Sequence, residues 1–381
     1  MTRRFYRDTW AEIDLHAIAT NVREVSKLYD NKNVRIMAVV KANGYGHGAI
    51  EVARTALSAG ATHLAVALLD EAIELREAEI TEPILVLGRI RPEDVAIAVE
   101  FNVMVTVFQL EWLIEAKKHL HADECIHLHV KLDTGMGRIG VRSKEEAASL
   151  FRFIQADESF ALNGIYTHFA TADEQDLSYL NEQHTRFVEM LGWLKEWGIK
   201  KPLIHSGNSA AGMRFPEKAF DLFRLGISMY GLTPSPEITD DLPVSLKQAF
   251  SLKSRLVQVK EMPAGEAISY GATYRTKQRE WIGTIPIGYA DGWLRYHSTN
   301  GGAVLVNGQR APFVGRICMD QCMIRLPGPV EVGTVVTLIG ADGDDEITMD
   351  EVAARLGTIN YEIPCVISSR VPRIYSNDKL L

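Results

Sequence analysis

A lysine, Lys41, ends the apolar run Ile36-Met37-Ala38-Val39-Val40 and is followed at once by Ala42-Asn43-Gly44-Tyr45-Gly46-His47-Gly48. Burying an ammonium costs several kcal/mol unless it is paired or neutralised. A lysine that leaves a buried strand into a glycine-rich turn is therefore suited to lose its proton and form an imine with an aldehyde. Four further stretches set reactive side chains at the ends of apolar runs: Lys131-Leu132-Asp133-Thr134-Gly135-Met136-Gly137-Arg138, Tyr166-Thr167-His168, His205-Ser206-Gly207-Asn208-Ser209 and Arg224-Leu225-Gly226-Ile227. Each also has an ordinary reading. A strand-end lysine is solvated, Lys131 pairs with Asp133 or Arg138, His168 is a hydrogen-bonded core histidine, Ser209 caps a helix and Gly226 relieves crowding.

These residues act together only if the chain brings strand ends to one place. Residues 16–240 alternate short apolar runs with segments of 3.6-residue spacing. The runs are 35–41, 63–67, 84–88, 103–107, 126–132, 164–168, 203–207 and 223–228; helical spacing covers Ala49–Ala59, Asp70–Glu79 and Tyr179–Trp197. Eight strands separated by helices predict an α/β fold, a parallel (β/α)8 TIM-like barrel over residues 1–240. A doubly wound open sheet is the alternative, but the early glycine-rich phosphate turn that such sheets commonly carry is absent. In a barrel the site lies at the C-terminal strand ends, and the loops after the last two strands commonly grip phosphate. A lysine for an aldehyde and a grip for a phosphate monoester together imply pyridoxal 5'-phosphate (PLP).

After Pro243 the pattern changes. Leu252–Glu261, Trp281–Ile287, Ala303–Val306, Cys322–Leu326 and Thr334–Ile339 read as strands divided by Pro-Ala-Gly, Asn-Gly, Pro-Gly and Gly-Asp turns. Only Met349–Leu356 reads as a helix, with Thr348 as its cap. Residues 241–381 are thus expected to form a separate, mostly β domain. The alternating segment Thr9–Leu15 could pair with it or with the barrel.

Composition sets outer bounds. The chain has 381 residues, 46% hydrophobic and 24% charged, with a formal net charge of −8. That balance suits a large soluble core and argues against a nucleic-acid binder. No apolar run approaches a membrane span of roughly 18 residues. The opening eight residues carry positive charge without an apolar run behind them, so a secretory signal is not expected. Cys125, Cys318, Cys322 and Cys365 share no repeated spacing, which suggests thiols in a reducing cytoplasm. His127 and His129 lie on one face of a strand, but no third ligand stands at a telling spacing and Cys318-x-x-x-Cys322 is not a common zinc pattern, so no metal is expected.

The stretch Ala38-Val39-Val40-Lys41-Ala42-Asn43-Gly44-Tyr45-Gly46-His47-Gly48 resembles the PLP-lysine signature of bacterial alanine racemases. The likeness continues in order through Lys131–Gly140, Tyr166–Ala172, Asn208-Ser209, Arg224–Gly231, Ser269–Tyr274, Pro286–Leu294, Gly315–Arg325 and Ile359–Pro364. It covers essentially the whole chain. The resemblance implies an N-terminal barrel, a C-terminal β domain and a head-to-tail homodimer whose sites draw residues from both subunits. It implies racemisation of alanine, with D-alanine supplied for peptidoglycan.

By the same resemblance, Lys41 carries the cofactor and is one catalytic base, and Tyr270, arriving from the other subunit, is the second. Arg224 contacts the pyridine nitrogen, with His168 between Arg224 and Tyr270. Tyr45, Asn208, Ser209, Gly226, Ile227 and Tyr361 complete the cofactor set, mostly at the phosphate. Arg138 contacts the cofactor's phenolic oxygen and the substrate, Met319 offers backbone to the substrate carboxylate, and Lys131 matches a position carbamylated in some members. Ser206 departs from relatives that carry cysteine there. Rival readings are a broader-specificity amino-acid racemase, a barrel-fold PLP decarboxylase, and a shorter PLP-carrier protein that lacks a β domain.

Overall fold

Eight parallel strands close into a barrel in chain order: Arg35–Val39, His63–Val66, Ile84–Val86, Met104–Val107, Ile126–Lys131, Phe160–Tyr166, Leu203–His205 and Leu222–Leu225. The last pairs with the first, Met37 opposite Arg224, so the sheet has no free edge and the open-sheet alternative is excluded. These assignments come from a computed structural model of the chain, which describes residues 5–30, 32–200 and 202–376. Residues 1–4 of the opening segment lie outside the described residues, as do 377–381 at the end of the expected β domain.

Every expected barrel strand is present, with shifted ends. The strand expected at 164–168 begins at Phe160, where a polar residue, Asn163, interrupts the apolar pattern. The pairing explains the interruption. Leu128 faces Leu162 but His129 faces Gly164, so Asn163 is an extra residue in the register. The strand expected to reach residue 228 ends at Leu225, because a 3-10 turn occupies Ile227–Tyr230. Helices fill the gaps as their spacing predicts, at Ala49–Ser58, Leu69–Glu77 and Ser178–Glu196. Another, Lys144–Ala156, opens on a capping box in which Ser143 Oγ accepts from Glu146 N and the Glu146 carboxylate accepts from Ser143 N.

The chain divides into two compact units. The barrel unit takes Ala17–Gly44 and Ala49–Lys247; the second takes the chain up to His16, Tyr45–Gly48 and the chain from Gln248. In the second unit the main sheet runs Gln309–Pro312, Ala303–Val306, Val335–Asp342, Phe250–Arg255, Thr9–Asp14, Arg373–Ser376. The alternating opening segment is therefore an interior strand of this sheet, antiparallel to Phe250–Arg255 and parallel to Arg373–Ser376. A second sheet runs Gln258–Met262, Glu280–Ile285, Cys322–Leu326.

The single strand expected over Leu252–Glu261 is in fact two. At the break Leu256 N bonds Thr334 O while Val257 N bonds Thr284 O, so the chain leaves one sheet for the other. Met349–Leu356 is a helix capped by Thr348, whose side chain accepts from Glu351 N. It is not alone: Glu362–Val366 forms a short helix that Pro364 hides from a propensity reading. No helix among the described residues is long and apolar enough to cross a membrane.

Candidate active site

In the barrel unit, the strand before Lys41 stops at Val39, and Lys41 is half-buried rather than fully enclosed. The expectation of a buried ammonium at a strand end is thus corrected: the anomaly lies in the backbone that follows. Ala42, Asn43 and Gly44 have φ/ψ near (53, 50), (52, 50) and (60, 46), and Tyr45 follows at φ 51. Four consecutive residues are left-handed, and only one is glycine. Each of the others costs about 1–2 kcal/mol for its Cβ clash. Hydrogen bonds hold the turn: Gly44 N to Val40 O at 2.8 Å, Ala49 N to Asn43 Oδ1 at 2.9 Å, and Ala42 N to Glu71 Oε1 at 2.6 Å.

The barrel's C-terminal interior is polar where such interiors are usually branched and apolar. Arg224, 3% exposed, is its hub. Its Nη2 donates to Thr167 O at 2.9 Å, Ser206 O at 3.0 Å and His168 Nδ1 at 3.1 Å; its Nη1 donates to His205 Nδ1 at 2.8 Å. A guanidinium only donates, so the Nδ1 atoms of both histidines are acceptors and their protons sit on Nε2. His205 Nε2 then donates to His129 Nδ1 at 2.9 Å. Burial first, and the Arg224 charge next, hold His168 and His205 well below the usual histidine range. Burial likewise pulls His129 down to about 3 and Arg224 to about 10. All three histidines are neutral, and the positive charge stays on the guanidinium.

Tyr166 packs through the centre of this layer. Its ring stacks on His205 at 4.7 Å and 4°, Lys131 Nζ lies 4.9 Å over its face and Arg224 Cζ 5.2 Å. Its hydroxyl meets Thr106 Oγ1 at 2.8 Å, and burial pushes its pKa up to about 12. Lys131 is 2% exposed, and its Nζ finds no hydrogen-bond partner among the described residues. Burial, with Arg224 and Arg138 nearby, pulls its pKa well below the ordinary lysine value. Arg138 itself is exposed. Arg224, Lys131, Arg138 and Lys41 all lie near enough to act electrostatically on His168.

Asn208 and Ser209 open the Ser209–Arg214 helix, with Asn208 Oδ1 accepting from Ala211 N at 3.0 Å. Ser209 Oγ accepts from Gly226 N at 2.9 Å and Ser228 N at 3.4 Å. The Ser209 hydroxyl and the amides on either side of Ile227 therefore meet in one buried cluster.

The second unit holds the rest of the expected set. Tyr45 is buried and lies beside Tyr361, ring centroids 6.4 Å apart. Burial, with Cys365 behind it, raises the Tyr45 hydroxyl above its ordinary value. Tyr270 sits in a tight turn between Ser269 at φ 65 and Gly271 at φ 76, and is 69% exposed. Ser269 Oγ fixes that turn through Arg316 O at 2.6 Å. Tyr270, Tyr289, Arg295 and Ile317 line a depression of about 340 Å³. Met319 is exposed as well.

Several contributors escape a reading by motif. His129 is the inner end of the Arg224–His205 chain, and His127 bonds Asn163 Oδ1 at 2.8 Å. Among the described residues no three His, Cys, Asp or Glu side chains gather to hold a metal. Polar His127 and His129 alternating in an apolar barrel strand was the available signal. Glu71 carried another: it stands three residues after the helix-capping position Leu68.

The model of the alanine racemase N-terminal domain matches residues 13–234, and that of the C-terminal domain matches 249–375. The alanine racemase of Halalkalibacterium halodurans is 61% identical over 374 residues, covering 98% of this chain and 96% of that one. A solved alanine racemase from Bacillus anthracis with bound L-Ala-P superposes with a TM-score of 0.96 at 51% identity, covering 98% of this chain and 96% of that one. A histidine racemase from Leuconostoc mesenteroides superposes at 0.88 with 32% identity, covering 98% and 99%. Two domain matches in order, and identity of this level across both units, carry the same conclusion as the Lys41 turn and the Arg224 network: the chain belongs to the alanine racemase family.

Proposed function

We propose that this chain interconverts L- and D-alanine with PLP carried on Lys41, and that two copies of the chain complete each site. The observation that carries the reading is the His205–Arg224–His168 chain at the barrel end that also bears Lys41. The residues fit the cofactor. The cradle of Asn208, Ser209, Gly226 and Ile227 suits a phosphate, with Tyr45 and Tyr361 as further contacts, and Arg138 suits the phenolic oxygen. When bound, PLP supplies an electron sink for the charge left at the α-carbon.

Racemisation needs a base on each face of the α-carbon. Lys41 Nζ serves one face and the phenolic oxygen of the partner subunit's Tyr270 the other. Free lysine and tyrosine side chains are weak acids with pKa values of about 10, above the optimum for base catalysis at neutral pH. His168, its Nδ1 held by Arg224, offers Nε2–H to that phenolic oxygen and favours its ionised form. Arg224 uses its two Nη atoms on the protein, which leaves Nε for the pyridine nitrogen. Arg224 offers no carboxylate to keep that nitrogen protonated, so bound PLP would be a weaker electron sink and simple return of a proton to the α-carbon would be favoured. Arg138 and the backbone of the partner subunit's Met319 bind the substrate carboxylate. Lys131, pulled down by burial and without a hydrogen-bond partner among the described residues, would add CO2 through its neutral amine to form a carbamate that pairs with Arg138, releasing one proton.

Exposed Tyr270, Tyr289, Tyr296 and Met319 form apolar surface that a second subunit would cover. D-Alanine made in the cytoplasm would feed peptidoglycan. The likeness to a histidine racemase keeps a broader-specificity racemase in view. Incubation with L-alanine or L-histidine in D2O tests both readings. D-Alanine carrying α-deuterium is expected; faster turnover of histidine would shift the substrate, and CO2 release would replace racemisation with decarboxylation.

A further inference from the structure

We propose that Glu71 is a positioning residue for Lys41: its carboxylate holds in place the left-handed turn that aims the lysine. The inference rests on the reading of Lys41 as the cofactor lysine. Three observations carry it. The turn after Lys41 is strained at Ala42, Asn43 and Tyr45, so it persists only if its surroundings over-determine it. The first amide of that turn, Ala42 N, donates to Glu71 Oε1 at 2.6 Å, the short distance of a charge-assisted bond. The other carboxylate oxygen is itself anchored: Glu71 Oε2 accepts from Ala67 N at 2.7 Å and Leu68 N at 3.1 Å, at the start of the Leu69–Glu77 helix.

One side chain thus ties the Lys41 turn to the next βα unit of the barrel. The two strands leading into these segments are neighbours, since Val40 N bonds Ala65 O at 2.9 Å. The Glu71 carboxylate extends that pairing beyond the strand ends, where backbone ladders stop. A helix cap alone would need only Oε2. Glu146 shows that simpler arrangement: its Oε2 accepts from Arg142 N and Ser143 N at the start of Lys144–Ala156. Glu71, unlike Glu146, adds a bond to the segment that follows Lys41.

Glu146 is therefore the matched control. Glu71→Asp keeps the charge but is one methylene too short to span from the helix start to Ala42. Glu71→Gln has one oxygen for two sets of donors. In the full-length holoenzyme, hydrogen exchange at Ala42 should rise about tenfold to a hundredfold in both variants, the loss expected for a hydrogen bond to a charged group. kcat should fall about tenfold with KM changed less than about twofold, because the lysine is misaimed while substrate contacts remain. Glu146→Gln should lower Tm comparably yet leave Ala42 exchange and kcat as in the unaltered protein. Borohydride reduction and peptide mapping of the unaltered holoenzyme separates the two readings. Labelling at a lysine other than Lys41 overturns the functional reading and this inference with it. Labelling at Lys41, with Ala42 exchange and kcat unchanged in Glu71→Asp, overturns this inference alone.

Discussion

Arg224 Nη2 lies 3.1 Å from His168 Nδ1, and that bond decides which nitrogen of His168 bears its proton. The donor can only be the guanidinium, so His168 presents Nε2–H away from Arg224. The histidine stays neutral because burial first, and the Arg224 charge next, disfavour a second proton. One buried cation thus orients a neutral donor without sharing its charge.

Replacing the cation tests its electronic role. In Arg224→Glu a carboxylate would keep the pyridine nitrogen protonated and strengthen the sink. Racemisation should slow by at least about tenfold, while transamination rises, read as pyruvate released from alanine. A variant that slows without any gain in pyruvate would show that Arg224 acts on geometry alone.

Stability should fall on the acid side for a reason built into both units. Burial holds His63 near about 4, and His129 and His297 near about 3. In the unfolded chain they titrate near about 6.5. Below that pH the unfolded chain takes up protons that the native state refuses, so stability is full above about 6.5 and is lost progressively as pH falls toward about 3. Each histidine contributes at most about 1.4 kcal/mol per pH unit. His297 stacks on Trp293 at 3.8 Å and 8°, so His297→Phe keeps the stack and removes one titration. Tm measured against pH should decline less steeply in that variant; an unchanged slope would mean that His297 is not neutral in the native state.

Gly164 makes room for His129. A Cβ at Gly164 would sit 2.2 Å from His129 Nδ1 and 2.3 Å from Cε1. The ring is enclosed, so Gly164→Ala should cost about 1–3 kcal/mol, the range for overpacking. Urea denaturation should show the loss, and an unchanged midpoint would contradict the packing.

Lys131 should carry a carbamate when the protein is held in bicarbonate. Burial favours the neutral form of this amine, which has no hydrogen-bond partner among the described residues and is poised for that addition, whereas a protonated one could not react. With 13C-labelled bicarbonate, a carbamate carbon signal is expected in the protein and should be missing from Lys131→Ala. A signal that survives the substitution would place the adduct elsewhere.

Much of the fold and part of the site are legible in the sequence. The eight barrel strands stand out because a closed parallel sheet buries both faces of each strand, so runs such as Ile84–Val86 are apolar throughout. Positions of Lys41, His168, Ser209 and Arg224 follow from the strand ends. What stays hidden depends on partners distant in sequence. The sheet change at Leu256 depends on Thr334 and Thr284, and no local pattern marks it. Left-handed Ala42 and Asn43 contradict their own propensities and are stabilised by Glu71 and by Ala49. The role of His129 was not legible because its partner, His205, lies 76 residues away.

The central claim is that each site takes Lys41 from one subunit and Tyr270 from the other. Mixing Lys41→Ala and Tyr270→Phe chains under conditions that exchange subunits tests it directly. Neither variant alone should racemise alanine at an appreciable rate. A mixed dimer, however, holds one site with both bases intact and one with neither. Random pairing makes half the dimers mixed, so an equimolar mixture should recover about a quarter of the unaltered activity. If exchange is verified by mass and the mixture stays as inactive as its components, both bases belong to one chain and the shared-site account is wrong.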